Sequence, residues 1–298
     1  MAGLGEVGRE LSQLPSAQDT LRKSYLRKVH EITGRNVISY YSGWLNPGRP
    51  DGLPVSIDDS DTAGFMSAFH GLDRELGLDL LLHTPGGDVA ATEALIKYLR
   101  SMSPEFRVFV PQLAMSGGTM IALSANEVVM GKHSSLGPID PQLSGIPAGE
   151  IVDEFSAAVK AVKADPSVAP IYAQVVSKYP PGFVGQCEKA ITWAREIAMK
   201  SLQERMFEGA SDAEDQARRI VDELGSHAVT LNHSRHYSID QIRNLGVVVT
   251  ALEEDQGLQD AVLSYHHAAM LTFGTTGAFK IVENHEDALL VGSFRETP

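Results

Sequence analysis

The sequence predicts an α/β protein built on a mostly parallel sheet with flanking helices, and three observations predict it. Short apolar runs, of the kind that suit strands buried on both faces, alternate with stretches of helical periodicity. Two glycine turns, "PGG" at 85–87 and "SGG" at 116–118, each stand between such a run and such a stretch. The resulting order of strand, glycine turn, helix, strand, turn, helix and strand is the rhythm of βαβ units, whose crossovers are almost always right-handed.

The elements follow in order. Residues 1–30 read as a polar, helical lead-in. "NVISYYSGWL" (36–45) is rich in β-branched and aromatic residues and reads as a strand, and "NPGRPDGLP" (46–54) as a loop. "SIDDSDTAGFMSAFHGL" opens on a cap-like cluster and sets Phe65, Phe69 and Leu72 at helical spacing. "LDLLLHT" (78–84) is a buried strand, "VAATEALIKYLRSM" (89–102) a helix and "FRVFVPQL" (106–113) a strand. "GTMIALSA" (118–125) is a helix and "EVVMG" (127–131) a strand. Residues 151–224 read as almost wholly helical, interrupted by "DPSVAP" and by "KYPPG", a rigid connector. "SIDQIRNLGVVVTALEED" (238–255) is a capped helix, a glycine stop and a strand. "AFKIVENHEDALLVG" (278–292) suits a hairpin. The expected organisation is a lead-in (1–30), a main α/β domain (31–255) with a helical insertion at about 151–224, and a C-terminal extension (256–298).

Composition narrows the function. At 298 residues and 43% hydrophobic the chain can bury a real core. Its formal charge of −13 leaves nothing basic to neutralise phosphates, which argues against nucleic acid or an anionic membrane as partner. The lone Cys187 excludes an internal disulfide and a cysteine zinc site, in keeping with a reducing cytoplasm. The N-terminus has no apolar targeting core, and no window approaches the roughly 18–20 apolar residues of a membrane span. A cytoplasmic location is expected, with peripheral membrane association left open.

The two glycine turns carry the chemistry. Gly86 and Gly87 end a buried strand and open a helix, where exposed N–H groups and the helix dipole suit an oxyanion or a phosphate. The stretch lacks the spacing of a dinucleotide fingerprint and the lysine of a P-loop, and glycine for turn geometry alone is the competing reading. In "AMSGGTMIAL", Ser116 stands at a strand-to-helix turn, the position of many nucleophilic serines, although Ala114 replaces the first glycine of a G-x-S-x-G elbow. The competing reading is a helix cap worth about 1 kcal/mol. Two such turns, one strand apart, can converge, so that the N–H groups of Gly87 and Gly117 face the oxygen developing beside Ser116.

"LLLHTPGGDVAATEALIKYLR" followed by "VFVPQLAMSGGTMIALSANEVVMGKHSSLGPIDPQL" resembles the Clp-protease/crotonase superfamily. Within it the chain is most similar to the serine dehydrogenase proteinase family, related to signal peptide peptidase A. The features are the Gly-Gly turn, Ser-Gly-Gly about 30 residues later, and "SSLGPIDPQ" just beyond. The resemblance covers roughly residues 36–250. It implies a spiral of ββα units with a mostly parallel sheet, Ser116 as nucleophile of a serine endopeptidase, and an oxyanion hole from Gly87 and Gly117. Where Clp proteases carry a histidine, this chain has Asp140. The family's Ser-Asp-His order makes Asp140 the orienting acid and puts the base late, in "GSHAVTLNHSRHYS": His233 first, then His236, with His227 also in reach. A Ser-Lys dyad of the signal-peptide-peptidase kind is the second mechanism, with Lys178 or Lys160 as base.

Other residues have plainer readings. His133 suits a solvated loop, His266 and His267 a helix surface, and His83 a hydrogen bond to neighbouring backbone. Asp140, without the resemblance, suits a turn cap. No histidine pair has a metal-site spacing and no H-E-x-x-H occurs, so no cofactor or metal is expected. The expected substrate is a peptide bound beside the sheet as an added strand. The resemblance implies a homo-oligomer and raises an ATPase partner. An acyl-CoA-handling enzyme of the crotonase kind and a non-catalytic scaffold are the competing functions, the first disfavoured by Ser-Gly-Gly.

Overall fold

The computed structural model describes residues 16–143, 145–225 and 235–294. The chain opens with α1 (Ala17–Thr33), whose start is closed by a capping box: Asp19 N–H donates to Ser16 Oγ at 3.1 Å, and Ser16 N–H to the Asp19 carboxylate at 3.2 Å. Then come β1 (Asn36–Ser42), α2 (Asp61–Phe69), β2 (Leu78–His83), α3 (Val89–Met102) and β3 (Phe106–Val110). The two-residue β4 (Leu113–Ala114) leads to α4 (Gly117–Leu123), β5 (Glu127–Met130), β6 (Ser135–Leu136), β7 (Gln142–Leu143) and β8 (Ile146–Pro147). A helical stretch holds α5 (Ala148–Ala164), α6 (Ala169–Val176), α7 (Phe183–Glu204) and α8 (Ala213–Gly225). The chain closes with β9 (Tyr237–Ser238), α9 (Ile239–Leu245), β10 (Val249–Ala251), α10 (Gln256–Thr275), β11 (Ala278–Asn284) and β12 (Leu289–Ser293).

The main sheet has the order β10-β5-β3-β2-β1-β11-β12. It is parallel from β10 to β1, and β11 and β12 add an antiparallel hairpin beside β1. The apolar runs of β1 and β2 are buried along their whole length. Alternation along the strands divides their side chains between two cores. Leu80, Leu82, Val108 and Val110 pack with residues of α3, α4, α7, α8 and α9 on one face. Val37, Tyr41, Leu81, Phe109 and Val129 pack under α1 and α10 on the other.

A second sheet, β4-β6-β9, gathers short strands that leave the main sheet beyond its carboxyl edge. β3, β4 and α4 form one ββα turn of a spiral, and β5, β6 and α5 form the next. β2 behaves likewise, since Thr84 bridges to Ala114 and Gly87 to Ile57 before α3 begins. This is the predicted mostly parallel sheet with flanking helices, and the tail forms the predicted hairpin. In that hairpin Glu283 of β11 meets Arg22 of α1 as an ion pair with both side chains at 0% exposure (Nε–Oε1 2.8 Å). Arg22 Nη1 also donates to Thr272 Oγ1, and Tyr265 Oη to Glu283 Oε1. One expectation is corrected here. His266 is not on a helix surface: α10 buries the stripe that carries Tyr265, His266 and Ala269 against α1 and the sheet, and leaves His267 outside.

Candidate active site

Ser116 sits where β4 hands over to α4. Gly118 N–H donates to Met115 carbonyl oxygen at 2.8 Å, closing a four-residue turn with Ser116 at its second position. Its dihedrals, φ 51° and ψ −113°, are close to those of that position in a type II′ turn, which glycine ordinarily fills. It is the only non-glycine residue at positive φ among the described residues. Its side chain makes no cap hydrogen bond to α4. A helix cap has extended dihedrals and turns its oxygen onto its own helix; Ser116 does neither, and the capping explanation fails on both counts.

The first glycine turn closes over the second. Gly86 has φ 89°, and a Cβ there would stand 2.6 Å from Met115 O, 2.7 Å from Gly117 N and 2.8 Å from Ser116 Cβ. Gly86 is thus glycine for both its dihedral and the approach of the Ser116 turn. The bridge to Ile57 is made by the residues on either side of Gly87: Ile57 N–H donates to Gly86 O at 2.7 Å, and Asp88 N–H to Ile57 O at 2.9 Å. Alternation along an extended chain then turns the N–H of Gly87 itself to the opposite side. Gly87 N lies 3.4 Å from the place a Cβ on Gly117 would take. Among the described residues neither Gly87 N–H nor Gly117 N–H donates to a protein acceptor.

Hydrogen bonds hold these turns in register. Thr84 N–H donates to Leu113 O at 3.1 Å and Met115 N–H to Thr84 O at 3.0 Å, while Thr84 Oγ1 accepts from Gly86 N–H at 3.1 Å. Thr119 Oγ1 lies 2.9 Å from the carbonyl oxygens of both Ala114 and Gly137 and accepts from Gly137 N–H at 3.0 Å. That clamp fastens the Ser116 turn to the "SSLGPIDPQ" segment.

The other predicted residues are placed as follows. Asp140 is 2% exposed. Its segment is pinned on both sides, by Ile139 N–H to Leu224 O (2.8 Å) and Ala148 N–H to Pro141 O (2.9 Å). Its charge reaches the Tyr237 phenol, whose pKa is raised mainly by burial, with Glu223 and Asp140 adding to the rise and Arg235 opposing it. His236 is exposed and immediately precedes β9, where Tyr237 pairs with Leu136. His227 and His233 lie outside the described residues. Lys178 is exposed at the turn after α6, and Lys160 is exposed on α5. His133 is exposed, with Nε2 2.8 Å from Pro111 O.

Ser116, Gly86 and Gly87 line one cleft of about 340 Å³ together with Ser56, Asp88, Pro141, Gln142 and Gly145. The structure thus brings both glycine turns and the residue after Asp140 to one opening. Lys178 and His236 are not among its lining residues. Sequence reasoning missed two walls, the Ser56–Ile57 segment and the β7–β8 hairpin. Each pairs through only one or two residues, too few for a period, and Gly145 (φ 78°) was the one turn signal. A half-buried hydroxyl beside two acceptor-free N–H groups can add to a carbonyl carbon while those donors receive the oxygen's new charge.

A family model described as ClpP-like SDH-type serine proteinase matches residues 17–256. Two proteins of Methanocaldococcus jannaschii, both named as uncharacterized, are similar to parts of the chain. One is 43% identical over 105 residues, 34% of this chain and 36% of that protein. The other is 27% identical over 202 residues, 66% of this chain and 61% of that protein. The matches thus span roughly a third and three fifths of those relatives' lengths.

Proposed function

The chain belongs to the ClpP-like SDH-type serine proteinases, and from that premise we propose that it cleaves peptide bonds through an acyl-enzyme on Ser116. The observation that carries the reading is the Ser116 backbone: a serine held at a glycine's dihedrals, with no cap bond, beside the close-packed Gly86 turn. Strain of this kind, about 1–3 kcal/mol, persists at sites where the geometry is used.

In the proposed reaction Ser116 Oγ attacks the scissile carbonyl and gives its proton to a base. The Gly87 and Gly117 N–H groups receive the oxyanion. The amine leaves with the proton, and water hydrolyses the acyl-enzyme by the same steps. The base is a histidine of the 227–236 segment, His233 or His236, oriented by Asp140. Buried Asp140 beside the cleft supports this order over a Ser-Lys dyad, because exposed Lys178 and Lys160 lack the burial that turns an ammonium into a base. Substrate lies along the cleft as an extended strand between the Gly87 segment and the β7–β8 hairpin. We further propose that residues 31–255 form the catalytic unit with α5–α8 as its insertion, and that the protein works as a homo-oligomer in the cytoplasm. Among the described residues no helix is long and apolar enough to cross a membrane.

Fluorophosphonate labelling of the purified protein tests the reading. Wild type is expected to label at one site, Ser116→Ala not at all, and Asp140→Asn slowly; of His233→Ala, His236→Ala and Lys178→Ala, the variant that fails to label names the base. A folded wild type that takes up no probe refutes the proposal.

A further inference from the structure

On the face of the main sheet covered by α10, the ends of β1 and β2 build a second polar cluster. Tyr41, Trp44, His83 and His266 pack ring to ring, with His83 at centroid distances of 5.5 Å from Tyr41, 6.0 Å from Trp44 and 5.4 Å from His266. Tyr41 and His83 are 0% exposed and His266 is 7% exposed. Rings at such spacings are ordinary core packing, but their polar atoms are not in an ordinary state. Tyr41 Oη, Trp44 Nε1 and His266 Nδ1 are buried and meet no hydrogen-bond partner, and of the two buried ring nitrogens of His83 one faces the Leu113 backbone and the other is unanswered. Each such atom costs about 1–3 kcal/mol when left so, and native proteins leave only a few per hundred residues. Four in one cluster call for something that answers them together.

The two imidazoles have the spacing of a shared ion. A metal bound at ~2.0–2.1 Å to a ring nitrogen stands about 3.2 Å from the ring centre, so two histidines of a tetrahedral set place their ring centres about 5.2 Å apart. The observed separation is 5.4 Å, with the ring planes at 82°. Neutral imidazole, with its ring-nitrogen lone pair, is the form that ligates such an ion. The Leu113 backbone, which acts on the His83 ring, stands where a ligating histidine finds the acceptor for its second N–H.

We propose that His83 and His266 together hold a divalent transition-metal ion of the zinc, nickel and copper class. Among the described residues no third histidine, cysteine or carboxylate completes a ligand set. The remaining positions therefore fall to water, with Tyr41 Oη and Trp44 Nε1 as its hydrogen-bond partners, and the ion is exchangeable. Neutral imidazole selects this class of metal over magnesium or calcium. The ion ties α10 to the end of β2, one residue before the Thr84–Gly87 turn, so it braces the first glycine turn and touches no reacting atom. Sequence spacing held no sign of it, because its two histidines come from distant parts of the chain.

The test uses Trp44, one of two tryptophans, as reporter. In a Trp193→Phe background, metal-stripped protein is titrated with Cu²⁺, and Zn²⁺ is used as competitor. Saturable quenching at one ion per chain, reversed by Zn²⁺, is expected. His83→Gln and His266→Gln each weaken it by about tenfold or more, while His70→Gln, at an exposed histidine elsewhere, leaves it unchanged. Pulsed EPR of Cu²⁺-loaded wild type reads the ligands without any variant that could misfold, and two imidazole nitrogens are expected. No saturable quenching, quenching that survives both substitutions, or fewer than two imidazoles overturns the proposal. None of these readouts depends on peptidase activity.

Discussion

Replacing Ser116 by glycine stabilises the protein relative to replacing it by alanine, although both substitutions end any chemistry at that position. Alanine removes the hydroxyl and keeps the Cβ that makes φ 51°, ψ −113° costly. Glycine removes both. A non-glycine residue held in so sparsely populated a region costs about 1–3 kcal/mol, and glycine relieves it. Against that, glycine gains unfolded-state freedom worth about 0.5–1 kcal/mol, and a half-buried Cβ gives up a few tenths of a kcal/mol in contacts. About 1 kcal/mol remains in favour of glycine. For a chain of this size that is roughly 2–4 °C in Tm. Thermal melts of the two variants at one pH and concentration check it, with fluorophosphonate labelling absent in both. A glycine variant that melts at or below the alanine variant would mean the turn is relaxed, and the argument from backbone strain to function would fall with it.

Gly87→Ala puts a Cβ 2.2 Å from Ile57 O and 2.3 Å from Ile57 N; backbone cannot yield as a side-chain tip does, so labelling of Ser116 is expected to fall by about 10²–10³ while the far-UV CD spectrum is kept. Arg22→Met strands Glu283 and is expected to cost about 3–5 kcal/mol in urea unfolding, most of it recovered when Glu283→Leu is added. His285 stacks on His30 at 4.1 Å, and its pKa is lowered by burial and then by His30 and Arg27, against the Val37 carbonyl and Glu286, which raise it. Its folded value lies below the unfolded 6.5, so its contribution to stability is complete above pH 6.5 and is lost as pH falls toward the folded value, where the unfolded chain takes up a proton that the native chain refuses. Urea midpoints measured down through that window should flatten in His285→Gln.

The sequence made the scaffold legible wherever one period ran long enough. β2 and α3 lie within a residue of where their apolar patterns put them, because six and fourteen residues of consistent burial leave little freedom. The Ser238 helix start was readable from its chemistry, and it forms the capping box. Ser116 could be narrowed to cap or nucleophile and no further, since the two differ in a dihedral that composition does not encode. His83 was expected to hydrogen-bond nearby backbone, and the Leu113 backbone does act on its ring, while the aromatic cluster around it was not foreseen. What surrounds it comes from β1 and α10, and pairings that distant leave no local trace. Asp140 was found through resemblance; its burial depends on Leu224 of a helix far along the chain.

The place of β11 has a consequence for how the protein is made. Among the described residues β1 is the first strand to be synthesised, and its neighbour on one side, β11, is more than two hundred residues away in the chain. At roughly 5–20 residues per second, the open edge of β1 waits on the order of ten seconds or longer for that partner. Throughout the wait β1 offers unpaired backbone of the kind that recruits strands from other chains. The C-terminal hairpin therefore ends a hazardous interval in synthesis, and a nascent chain stalled before β11 is the form of this protein most in need of a chaperone.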